Sequence, residues 1–170
     1  MINTFLKNYT VLFFHLNLVK NHTEGVYMIG LIVCGHGLFG DGLYSSIKLI
    51  AGEQENFQIV NFEEDSNTKT LNASLQKALN KVEKGKGTVI FTDIPGGTPY
   101  NQAVLISTTM PNIKVVSGVN LPCLLTACFS RQDSIEVFLS KVIDSGRSSL
   151  SVFEKQIVKT EDKNGERRGI

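Results

Sequence analysis

Two short stretches of the chain have residue types that fit a reaction. In Gly35-His36-Gly37 an imidazole stands between two residues without side chains, so a bulky partner can reach it. In Asp93-Ile94-Pro95-Gly96-Gly97-Thr98-Pro99-Tyr100-Asn101 a carboxylate precedes a glycine pair and a helix start, with Thr98 read as the N-cap and Pro99 as the first helical residue. The first turn of a helix has unpaired N–H groups at the positive end of its dipole, which suits a phosphate. A carboxylate beside an imidazole accepts the proton of one ring nitrogen, fixes the tautomer and leaves the other nitrogen as a nucleophile. Taken singly, each piece has a plainer reading: a structural histidine, a strand-end acid, an ordinary cap. Brought together, they make a nucleophilic site for an anionic group.

For the pieces to meet, they must lie at neighbouring tips of one sheet. Leu31-Ile32-Val33-Cys34 is a continuous apolar run, as in a parallel strand covered on both faces, and it stops at Gly35, which places His36 at the carboxyl end. That edge is where open α/β sheets bind ligands. Downstream, the pattern alternates. Leu43, Ile47 and Ile50 mark a helix over 41–51 that stops at Gly52, a strand follows over 57–62, and Leu71, Leu75, Leu79 and Val82 mark an amphipathic helix over 67–84. Strands over 88–92 and 113–116 and helices over 98–109, 121–129 and 134–143 continue it. Such alternation predicts an α/β fold: a single doubly wound domain with a mainly parallel four-stranded sheet and helices on both faces. Residues 149–154 predict a further strand at the C-terminal edge, reached through a glycine-containing hinge over 144–148 and able to pair with its own sheet or, by exchange, with that of a second copy in a dimer.

Composition narrows the function. With 42% hydrophobic residues, a chain of 170 residues supports one core. A net charge of +1 without long runs of one sign gives no footprint for nucleic acid or a membrane surface. The three cysteines, Cys34, Cys123 and Cys128, lack metal-ligand spacing and read as reduced core residues of a cytoplasmic protein. Residues 11–19 are apolar but interrupted by His15 and Asn17, short of the roughly 20 residues a membrane span needs. Residues 1–27 read as a leader of doubtful origin before a natural start at Met28, 28–154 as the domain, and 155–170 as a polar, disordered tail. Gly35-His36-Gly37-Leu38-Phe39-Gly40 also matches the dinucleotide pattern G-x-G-x-x-G, with Glu63 in place of the ribose-binding acid. A chain of this length has no room for a substrate domain, and a dinucleotide gives Asp93 and the Gly-Gly-Thr-Pro turn no task.

Three ordered motifs, the Gly-His-Gly run of 29–42, Asp-x-x-Gly-Gly-Thr-Pro-Tyr-Asn at 93–101 and Gly-Val-Asn-Leu-Pro-Cys-Leu-Leu at 118–125, carry a resemblance over about 28–154. They resemble the mannose-family EIIA component of the bacterial phosphoenolpyruvate-dependent sugar phosphotransferase system (PTS). The resemblance implies a phosphotransferase working through a covalent phosphohistidine, with no cofactor and no metal. His36 takes the phosphoryl group from phospho-HPr and passes it to a separate EIIB component, serving membrane EIIC and EIID components indirectly. Asp93 hydrogen-bonds the active histidine, while Gly37, Gly96, Gly97 and Thr98 hold phosphoryl oxygens. Phe39, Pro95, Asn120, Leu121, Pro122 and Cys123 line the docking surface for both partners. Cys123 stands where the family commonly has methionine and should alter packing there. The resemblance also implies a homodimer joined through the last strand. The phosphotransferase subunit of dihydroxyacetone kinase shares the fold and the active histidine but generally lacks the Gly-Gly-Thr-Pro-Tyr-Asn turn, and it stands as the alternative. The transported sugar is left open.

Overall fold

The structure, a computed structural model, describes residues 27–154. The readings of a leader and of a tail from 155 fall outside the described residues. The elements are β1 (Gly30–His36), α1 (Phe39–Ala51), β2 (Phe57–Phe62), α2 (Thr68–Val82), β3 (Thr88–Thr92), α3 (Thr98–Thr109), β4 (Ile113–Ser117), α4 (Leu121–Phe129) and α5 (Ile135–Ser148). The strands form one sheet in the order β2-β1-β3-β4, and all three pairings are parallel. The chain leaves β1 toward β2 on one side and later returns to build β3 and β4 on the other. The order therefore reverses between β1 and β3, and a crevice opens there at the carboxyl edge.

Burial follows the two-sided pleat. Leu31 and Val33 of β1 and Val89 and Phe91 of β3 pack with Ile47 of α1, Leu124 of α4 and Phe138 of α5. Ile32, Cys34 and Ile90 point to the other face, against Leu71, Leu75 and Leu79 of α2 and Ala103 and Ile106 of α3. Because both faces are covered, the central strands carry no alternation, and β3 is buried at every position. Helix α2 starts at Asn67, whose side chain accepts the N–H groups of Lys69 and Thr70 while Thr70 Oγ1 accepts the Asn67 N–H in return. At the opposite edge of the sheet, Arg131 is 5% exposed and donates to three carbonyls: Nε to Ile29 at 2.8 Å, Nη1 to Glu55 at 2.5 Å and Nη2 to Asn56 at 2.9 Å.

The end of the domain differs from the sequence reading in two ways. The hinge expected over 144–148 is helical, since α5 continues to Ser148. Gly146 serves packing here: a Cβ on it would lie 3.2 Å from Cys123 Cβ, so the missing side chain lets α5 lie close against α4. Residues 149–154 form no strand, and Leu150, Val152 and Phe153 are 90%, 87% and 90% exposed. A strand is made by pairing, and among the described residues this segment pairs with none of the four strands. Beside it, the outer edge of β4 pairs with no other strand among the described residues, and a groove of about 630 Å³ runs between β4 and α5, lined by Val115, Val116, Val119, Val142 and Ile143 among others.

Candidate functional site

His36 ends β1, and Asp93 follows β3 directly, so the reversal of strand order brings them together. Asp93 Oδ2 accepts the backbone N–H of His36 at 2.9 Å and lies 2.7 Å from His36 Nδ1, while Oδ1 accepts the Ile94 N–H at 2.9 Å. Partial burial pushes the Asp93 carboxyl up, but the hydrogen bonds from the His36 amide, the His36 ring and the Ile94 amide, with the charge of the ring, outweigh it and hold the carboxyl below its ordinary value. Asp93 is therefore ionised at neutral pH and can only accept, so the Nδ1 facing it carries the proton. Nε2 is left with its lone pair, and among the described residues no hydrogen bond occupies it. The side chains are 43% exposed for His36 and 12% for Asp93, a reachable nucleophile on a sheltered anchor.

The glycines around His36 have separate tasks. Gly37 (φ 55°) turns the chain out of the strand, and its N–H donates to the Phe62 carbonyl at 2.9 Å. That amide is spent on strand pairing, so Gly37 does not offer it to a phosphate as the sequence reading expected. A Cβ on Gly35 would meet Phe39 Cδ1 at 2.7 Å, and one on Gly40 would meet Ile59 Cγ2 at 2.6 Å. Close packing of α1 on the sheet thus accounts for the G-x-G-x-x-G spacing without a nucleotide. Cys34, on the buried part of β1, has its thiol pushed up to about 12 by burial and then by the Asp93 charge, so it stays protonated.

The helix start differs from expectation by one residue. The N-cap of α3 is Gly97, whose carbonyl accepts the Asn101 N–H at 2.9 Å, and Thr98 occupies the first helical position. Asn101 Nδ2 also donates to the Gly96 carbonyl at 2.9 Å, which ties the glycine pair to the first turn. The Thr98 hydroxyl is therefore not used as a cap. It stands half-buried among first-turn N–H groups that have no intrahelical acceptor. Neither 30–47 nor 88–113 contains lysine or arginine, so in the second of these stretches the positive end of the α3 dipole is what offers an anion a positive field.

The residues expected to dock partners are placed unevenly. Pro95 is exposed, and Phe39 is half-buried beneath Gly35. Asn120 caps α4 by accepting the Cys123 N–H at 3.0 Å, and its Nδ2 donates to the Gly146 carbonyl at 2.9 Å, so this side chain joins α4 to α5. Leu121 and Pro122 are half-buried at the same edge of the sheet, two strands from His36. Cys123 is 3% exposed and faces Gly146, which makes it a core contact in place of the surface one expected. Three residues of the site escaped the sequence reading. Leu38 and Ile94, 65% and 54% exposed, follow the histidine by two residues and the aspartate by one, and Phe62 sets its ring edge-on to the imidazole at 5.7 Å. Phe62 could have been found from register, since it pairs with His36 across β1 and β2. The apolar Ile94 inside a glycine-proline loop was the signal for the rim.

Comparison with known proteins comes to the same place. The model of the family described as PTS system fructose IIA component matches residues 30–142. The PTS system mannose-specific EIIAB component of Escherichia coli K12 is 27% identical over 132 residues, which are 76% of this chain and 41% of that protein. The chain thus spans less than half the length of that relative. The PTS system fructose-specific EIIA component of Bacillus subtilis 168 is 30% identical over 142 residues, 83% of this chain and 97% of the relative. Among solved structures, phosphotransferase system component EIIA from Streptococcus agalactiae has a TM-score of 0.68 and 34% identity, covering 74% of this chain and 97% of that one.

Proposed function

Because the chain belongs to the family of PTS system fructose IIA components, we propose that it is a phosphorelay protein of a sugar-transporting phosphotransferase system. His36 Nε2 takes a phosphoryl group from phospho-HPr and hands it to a histidine of a separate EIIB component, which serves the membrane EIIC and EIID components. The observation that carries this reading is the 2.7 Å contact between His36 Nδ1 and Asp93, which commits one ring nitrogen and leaves the other free.

The chemistry follows from that contact. As the Nε2–P bond forms and the donor's P–N bond breaks, the imidazole keeps its Nδ1 proton and gains positive charge. Asp93, already ionised and anchored by two backbone N–H groups, balances that charge without moving. Phosphoryl transfer needs alignment and stabilisation of the equatorial oxygens more than covalent help, and the Thr98 hydroxyl with the first-turn amides of α3 supplies donors for those oxygens. With no cation in either motif, the phosphohistidine is not held too tightly to be passed on. Leu38, Ile94 and Pro95 form an apolar rim over which a protein partner can exclude water.

The working form is a homodimer in which residues 149–154 of one copy pair with the open edge of β4 in the other. Exposed Leu150, Val152 and Phe153 and the apolar groove beside β4 support this, since each supplies what the other lacks. To test the relay, labelled phospho-protein is mixed with an EIIB component of the same family. Discharge of label to EIIB supports the reading, and label that stays on the chain in the presence of EIIB counts against it.

A further inference from the structure

We infer that Gly97 is a positioning residue whose missing side chain, and not its backbone conformation, holds the His36 ring in the orientation that pairs Nδ1 with Asp93. Gly97 has φ −69° and ψ 165°, which any residue adopts, so the backbone does not call for glycine. Space does. A Cβ built there would lie 3.0 Å from His36 Cε1, 3.1 Å from Ile94 Cγ1 and 3.5 Å from Ile94 Cδ1. Its neighbour Gly96 is the opposite case, with φ 78° and nothing within 4 Å of an added Cβ. The two adjacent glycines are thus required for different reasons, Gly96 by conformation and Gly97 by the approach of the ring.

The ring has little freedom to yield. Its Nδ1 is held at 2.7 Å by Asp93, and the ring of Phe62 stands edge-on at 5.7 Å with an interplanar angle of 79°. Cε1 is bonded to both ring nitrogens. A methyl group that displaces it by a few tenths of an ångström therefore moves the anchored Nδ1 and the reacting Nε2 together. Ile94 is half-exposed and can swing aside, but that does not relieve the contact with the imidazole. Since Gly97 is also the N-cap of α3, the contact at Cε1 sets how the imidazole stands relative to the helix start that receives the phosphoryl oxygens.

Gly97→Ala and Gly96→Ala test this, each measured by thermal unfolding, by heteronuclear NMR of the imidazole nitrogens and by the rate of phosphoryl acceptance. Gly97→Ala should unfold close to the wild type, lose the single Nδ1-protonated signature of His36 and accept the phosphoryl group at least about 10-fold more slowly, as small misplacements of reacting groups do. Gly96→Ala should unfold earlier, because φ 78° strains a residue with a Cβ, while the imidazole spectrum stays that of the wild type. A Gly97→Ala protein with an unchanged imidazole spectrum, or one destabilised as much as Gly96→Ala, overturns the inference. The rate measurement rests on the phosphorelay reading, but the NMR does not. A shifted imidazole in Gly97→Ala beside a wild type that never accepts phosphate would sink the relay and leave the positioning role standing.

Discussion

Replacing Asp93 by asparagine keeps the shape of the side chain and removes its charge, and the hydrogen-bond pattern fixes what must follow. Oδ2 accepts from both the His36 amide and Nδ1, and Oδ1 accepts from the Ile94 amide. An amide has one oxygen. If it faces His36, the new NH2 group confronts the Ile94 N–H. If it faces Ile94, the NH2 confronts the His36 N–H and demands an unprotonated Nδ1, which moves the ring proton to Nε2 and removes the nucleophile. Either arrangement leaves a donor opposing a donor and forfeits a charge-assisted bond of about 1.5–3 kcal/mol. The reaction loses the carboxylate that balances the ring charge, so transfer should slow by about 10² to 10⁴, equivalent to roughly 3 to 5.5 kcal/mol in the barrier. Rapid-quench measurement of phosphoryl acceptance and discharge under single-turnover conditions reads this directly. Rates within about threefold of the wild type in Asp93→Asn would refute the role given to the carboxylate. Stability supplies a second readout. Because the folded carboxyl lies below an unfolded value near 4, its contribution is whole above that pH and is lost as pH falls through the lower folded value. Between pH 4 and more acidic conditions the wild type should therefore lose stability more steeply than Asp93→Asn.

Two further outcomes follow from parts of the fold away from the imidazole. Arg131→Met should cost about 2–4 kcal/mol in urea unfolding, because it strips the donors from three carbonyls, while the folded fraction still accepts phosphate; a loss below about 0.5 kcal/mol would show that those bonds are incidental. Ending the chain after Ser149 removes Leu150, Val152 and Phe153 and should convert dimer to monomer in light scattering. A dimer that persists would move the interface elsewhere.

Much of this was legible in the chain because the determining signals are local. A continuous apolar run stopping at Gly35 marked β1, a short strand closed by Asp93 marked β3, and helical spacing of Leu71, Leu75 and Leu79 marked α2. Two such strands as parallel neighbours place His36 and Asp93 at adjacent tips. Less local features were misread. Gly146 looks like a hinge in sequence, and only the approach of Cys123 from another helix explains it. The N-cap moved from Thr98 to Gly97 because Asn101, one turn later, closes on the glycine pair. Apolar Leu150, Val152 and Phe153 after Ser149 read as a strand, yet a strand is a pairing and not a property of one segment. Arg131 gave no local signal, as its partners are up to 102 residues away.

The central claim is that His36 accepts a phosphoryl group. Incubation of the chain with phosphoenolpyruvate, enzyme I and HPr, followed by intact-mass measurement, tests it most directly. The account predicts the gain of one acid-labile phosphate that maps to His36 and disappears in a folded His36→Ala variant. Failure of the wild type to gain mass while HPr itself is phosphorylated, or a gain that survives in His36→Ala, would contradict it.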